Sequence, residues 1–112
     1  MSACRCAPVG TTSILQTVAL ENGSTPVPFA DIATSSLVAL VDDAGAAVSN
    51  VPATFAAGPA DGLINVTFDT TLITSPGSYT AYLEFTLADG ETARQLVCFC
   101  LADQSGLRAY AC

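Results

Sequence analysis

In SYTAYLEFTL, Tyr79, Ala81, Leu83, Phe85 and Leu87 fall on one side of an extended chain, and Ser78, Thr80, Tyr82, Glu84 and Thr86 on the other. Successive side chains of a strand point to opposite faces, so this alternation predicts a strand over residues 78–87 with one buried face. Asp89-Gly90 follows, and Asp-Gly between alternating runs signals a hairpin. Its second arm is TARQLVCFCL (92–101), where Val97, Phe99 and Leu101 match the apolar face of the first. In LINVTFD, Ile64, Val66 and Phe68 point inward. This segment is entered through the turn Gly58-Pro59-Ala60-Asp61-Gly62, whose other arm is VPATFAA. Pro52 lacks an amide donor and suits the start or the open edge of that arm. ILQTVAL (14–20) predicts a further strand. LVALV (37–41) has no polar alternation and predicts a strand buried on both faces, ending at the turn Asp42-Asp43-Ala44-Gly45. Residues 70–77 predict a single helical turn before Pro76-Gly77 restarts the chain.

No long segment repeats apolar residues at helical spacing. Six or seven short strands separated by Gly, Pro, Asn and Asp predict an all-β fold, an immunoglobulin-like antiparallel β-sandwich of about seven strands. With no Trp and no cysteine between Cys6 and Cys98, the antibody-type core of a Trp against a mid-chain disulfide is excluded. A chain of 112 residues supports one core. The expected organisation is an N-terminal arm over 1–11, the sandwich over 12–101 and a C-terminal tail over 102–112.

Charge narrows the function. The formal net charge is −7, with no His, no Lys, and only Arg5, Arg94 and Arg108 as cations. Nucleic-acid binding needs clustered Lys or Arg, so no nucleic-acid partner is expected, and the acidity disfavours anionic membranes. No apolar stretch approaches the ~20 residues that span a bilayer, and no secretory h-region is visible at the N-terminus, which points to synthesis in a cytoplasm. Catalysis near neutral pH most often uses His, a shifted Lys or a tuned carboxylate. Without His or Lys no catalytic or cofactor-binding residue is assigned, and a non-enzymatic role is expected. Asp42 and Asp43 read as a solvated turn. No calcium-loop, dinucleotide or phosphate-loop motif occurs. Asn22 and Asn65 stand in N-x-[ST] sequences; Asn65 reads as a solvent-facing strand position, and without a signal peptide glycosylation is not expected at either.

The five cysteines lie at the two ends: Cys4, Cys6, Cys98, Cys100 and Cys112. Residues i and i+2 of a strand share a face, so Cys98 and Cys100 project together, away from Val97, Phe99 and Leu101. Cys4 and Cys6, if extended beside them, bring four sulfurs onto one patch. Three readings stand. Disulfides would join the ends across a loop of ~95 residues, for which chain entropy predicts about 4–5 kcal/mol. A zinc or iron site on Cys4, Cys6, Cys98 and Cys100 would make a metal-binding or redox module, although structural zinc favours C-x₂₋₄-C spacing. The third is that the cysteines are small buried hydrophobes. The odd count leaves Cys112 free or bonded to a neighbouring copy.

The stretch from Thr12 to Leu101 resembles the immunoglobulin-like N-terminal domain of phage upper baseplate proteins. The likeness is carried by TPVPFADIATSS, LVALVDDAGAAV, DGLINVTFD and above all SPGSYTAYLEFTLADGETARQLVCF. It implies a non-enzymatic virion component, oligomeric in the particle, whose partners are other virion proteins of the capsid or tail. Those proteins continue into long coiled or receptor-carrying regions, whereas this chain ends soon after the sandwich, which fits a capsid decoration (cement) or tail accessory protein. Such a protein is made in a host cytoplasm and released by lysis, after which disulfides can form. A surface adhesion sandwich is a further alternative, with Tyr79, Tyr82 and Tyr110 as its only polar aromatics.

Overall fold

Two sheets face each other across one apolar layer in the computed structural model, which describes residues 5–22 and 24–102. In chain order the strands are β1 (Arg5–Pro8), β2 (Ser13–Ala19), β3 (Glu21–Asn22), β4 (Thr25–Pro26), β5 (Ile32–Asp42), β6 (Ala53–Ala57), β7 (Leu63–Asp69), β8 (Gly77–Leu87) and β9 (Thr92–Ala102). Sheet A has the order β1-β9-β8-β5, sheet B the order β2-β7-β6, and β3 pairs with β4 as a separate short hairpin. All pairs are antiparallel except β1 with β9, which is parallel. Seven strands in two facing sheets make the predicted immunoglobulin-like sandwich, with β3–β4 as an addition. The arm expected over 1–11 contributes β1 to sheet A.

The alternation read from the sequence sets the faces. Tyr79, Ala81, Leu83, Phe85 and Leu87 of β8, Val97, Phe99 and Leu101 of β9, and Ile64, Val66 and Phe68 of β7 are all buried. Two aromatic contacts bridge the sheets. Phe55 of β6 meets Phe85 of β8 edge-on at 5.8 Å, and Phe68 of β7 meets Phe99 of β9 at 5.2 Å. Such pairs add about 0.5–1.5 kcal/mol beyond the area they bury. The hairpin turn at 88–91 closes as the Asp89-Gly90 signal predicts. The Leu87 amide donates to the Glu91 carbonyl at 2.8 Å, and Asp89 Oδ1 accepts from the Glu91 amide at 2.9 Å.

Gly62 is fixed by a close approach. It has φ +83°, and a Cβ there would stand 2.6 Å from Cβ of Pro26. The Leu20 amide donates to Gly62 O, and the Gly62 amide to Val27 O, which seats the β3–β4 hairpin on the β6–β7 turn.

Two expectations are corrected. The apolar run 37–41 is not buried on both faces: β5 is the outer strand of sheet A, and Val38 is 60% exposed. A register shift between Leu37 and Ala39 inserts one extra residue, so Val38 and Ala39 are both exposed while Leu40 is buried. Residues 70–77 form no helix. Thr70 to Ile73 makes one hydrogen-bonded turn, with the Ile73 amide donating to Thr70 O at 3.1 Å.

Candidate docking face and cysteine clasp

On β9, Leu96, Cys98 and Cys100 alternate with the buried Val97, Phe99 and Leu101, so the cysteines lie on the outer side of sheet A, as their spacing predicts. β1 runs beside them with Cys6 opposite Cys100, and these two form a disulfide with Cα atoms 4.5 Å apart, closing 94 residues of sequence. Cys98 is likewise disulfide-bonded, and no described cysteine is a free thiol. Cys4 and Cys112 lie outside the described residues. Cys100 departs from an open surface position: it is 1% exposed, though outside the apolar core cluster. With their sulfurs bonded, Cys6, Cys98 and Cys100 offer no thiolates for the zinc or iron reading in this oxidised state. Among the described residues no three His, Cys, Asp or Glu side chains are grouped as metal ligands.

Further along the same face, register aligns Ala39 of β5 with Tyr82 of β8, and Tyr82 with Leu96 of β9. With the bulged Val38 they form an apolar row across three strands, exposed at 60% for Val38, 42% for Tyr82 and 58% for Leu96. A shallow cleft of about 450 Å³ follows this row, lined by Val38, Ala39, Val41, Tyr82, Leu83, Arg94, Gln95 and Leu96. Its rim carries an ion pair, Arg94 Nε to Glu84 Oε2 at 3.1 Å, between directly paired residues of β8 and β9. Exposed as it is, that pair contributes under about 1 kcal/mol to folding and acts on the surface mainly by orienting its two charges. Neighbouring β-strands hold the row in register. An apolar centre with a charged rim is the composition of a protein-binding patch.

The acidic turn after β5 lies at the far end of β8. Asp42 Oδ1 accepts from the amides of Ala44 and Ala46, so it ties its own turn, as a solvated-turn reading requires. Asp43 Oδ2 lies 3.2 Å from where a Cβ on Gly77 would stand. Between them and the core sits Tyr79, whose hydroxyl donates to Ser75 O at 2.5 Å and whose ring stacks on Phe99 at 5.4 Å. Burial pushes its phenol up from the ordinary value, and the charges of Asp42 and Asp43 push it further the same way. A tyrosine at the start of this strand, bonded back to the backbone upstream, is the corner found in immunoglobulin-type sandwiches.

Two buried polar residues among those described escaped the sequence reading: Thr70, whose hydroxyl donates to Thr11 O at 2.6 Å, and Gln16. Gln16 of β2 sits on the inward face beside Ile14 and Val18, and its Nε2 donates to the carbonyl of Cys98 on the opposite sheet. The signal available was its inward parity in SILQTVA, where a polar side chain needs a partner. This bond ties sheet B to the backbone of the cysteine strand.

These features define the class: an immunoglobulin-like sandwich whose last described strand is bound to its first. No protein-family model matches the sequence, and no curated protein does. Among solved structures the chain is similar to CopC from Methylosinus trichosporium OB3b, at 20% identity and a TM-score of 0.52, over 97% of this chain and 91% of that one. It is also similar to part of a family 123 glycoside hydrolase from Clostridium perfringens, at 14% identity and a TM-score of 0.55, over 92% of this chain but 23% of that enzyme. At these identities the likeness is one of fold.

Proposed function

We propose that this chain is a non-enzymatic structural protein of a bacteriophage particle, bound in multiple copies to the capsid or tail through the outer face of sheet A. The observation that carries the docking role is the exposed apolar row of Val38, Tyr82 and Leu96, held across three hydrogen-bonded strands. Isolated exposed apolar residues are ordinary, but three aligned on one rigid face make a surface whose burial against a partner is favourable. The sequence resemblance over Thr12–Leu101 supplies the kind of partner, a virion protein of the capsid or tail. The disulfides accord with a protein that meets oxidising surroundings after lysis.

The test is composition and occupancy of purified particles. Quantitative mass spectrometry of gradient-purified virions should find the chain at a fixed copy number, and its absence would overturn the reading. Leu96→Asp, an exposed change expected to leave stability within about 0.5 kcal/mol, should lower that copy number at least tenfold. Full occupancy by the variant would remove this face from the docking role.

A further inference from the structure

Among the described strands, β1 has a short pairing, reinforced by the Cys6–Cys100 bond. It has four residues, among the described strands it pairs with β9 alone, and it lies parallel to β9, the less stable of the two pairings. Cys6 and Pro8 are exposed, and Ala7 is only partly buried against the core. Its role in the sheet is nonetheless large, because it covers the edge of β9 from Phe99 to Ala102. An uncovered edge of that kind is a template for another strand.

The link between β1 and β2 is a tight hinge. Residues 9–12 carry the chain from sheet A to sheet B in one turn. The Thr11 amide and hydroxyl both donate to Pro8 O, the Val9 amide donates to Ala102 O, and Gly10 takes φ 101°. Short hinges under such constraint favour exchange of the terminal strand between copies, since opening the turn relieves the hinge and the exchanged strand remakes the same contacts.

We infer that β1 is an exchangeable cover strand: when the Cys6–Cys100 disulfide is open, the β9 edge of one copy receives β1 of a second copy, and reoxidation locks the pair as a dimer. The occupant is a second copy of this chain because the β9 edge and the register that fit β1 are indifferent to which copy supplies it. Cys6 then stands opposite Cys100 of the other copy, as it does within one. The chemistry balances as thiol–disulfide exchange. A dithiol reductant gives two electrons and two protons to each protein disulfide, that at Cys98 included, and becomes a disulfide itself. Oxidised glutathione then takes two electrons and two protons from each thiol pair, Cys6 with Cys100 and Cys98 with its own partner, leaving two glutathione thiols for every bond remade, the Cys6–Cys100 bonds now running between copies.

Light and ¹⁵N-labelled protein, mixed, reduced, concentrated and reoxidised with oxidised glutathione, separates this exchange from simple reclosure. After size-exclusion chromatography, trypsin cuts after Arg5 and chymotrypsin after Phe99, so Cys6 and Cys100 are each parted from their cysteine neighbours. In the dimer fraction about half of the Cys6–Cys100 peptide pairs should carry one light and one heavy peptide, as random mixing of copies requires. Like-labelled pairs alone, whether in monomer or in a dimer joined through other cysteines, would overturn the inference. Inserting Ser-Gly-Ser after Gly10 loosens the hinge and should cut the dimer fraction several-fold. An unchanged fraction would equally sink it.

Discussion

Tyr79 joins three kinds of interaction in one side chain: a ring stacked on Phe99, a hydroxyl bonded to Ser75 O, and two nearby carboxylates. Its pKa is raised on folding, first by burial and then by Asp42 and Asp43. A raised folded pKa means stability that is fully present below the unfolded value near 10 and lost as pH rises through the folded value. Tyr79→Phe should destabilise the protein by about 1 kcal/mol near neutral pH through the lost hydrogen bond. It should also remove the residue's share of the alkaline decline. Urea titrations at stepped pH from neutral to about 11 measure both effects, and an unaltered alkaline slope in the variant would count against the assignment. Tyr79 was legible as a core residue because period-2 parity fixes its face. Its Ser75 partner was not, since parity says nothing about where a hydroxyl ends. Gln16 marks the same limit more sharply: its partner, the Cys98 carbonyl, is 82 residues away on the other sheet. No local pattern encodes that distance.

Among the elements, β8 and β9 were readable nearly to their ends, because alternation, turn chemistry and matching apolar faces agree there. β5 was misread for a physical reason. An uninterrupted apolar run usually means burial on both faces, but here a bulge turns Val38 outward and the strand has a neighbour on one side only. That departure from the pattern is what creates the candidate docking row. The pairing of β1 with β9 could be suspected from two C-x-C sequences, yet its parallel direction and register depend on closure of the whole sheet. Its energetic weight lies in the disulfide. Closing 94 residues removes entropy from the unfolded chain, so reduction, which opens the Cys98 bond as well, should lower stability by at least about 4–5 kcal/mol. Urea unfolding with and without reductant measures the difference. Coincident midpoints would mean that the clasp does not constrain the unfolded state.

At the scale of the molecule, the sandwich class followed from strand count, turn spacing and the absence of helical periodicity. The sheet order did not, because long-range pairing is not written in any one segment. The disulfide that ends sheet A has a mechanical consequence. Tension applied between the two ends enters at Cys6 and leaves at Cys100 through a covalent bridge, so the 94 residues of sequence it spans stay out of the line of force. A chain tethered at both ends should therefore resist pulling without unfolding its sandwich. After reduction the same pull should release a contour of about 300 Å, at roughly 3.3–3.6 Å per extended residue. Single-molecule force spectroscopy reads this directly, and a release of that length under oxidising conditions would contradict it. The sulfur bridge makes the domain a rigid link with its slack locked away.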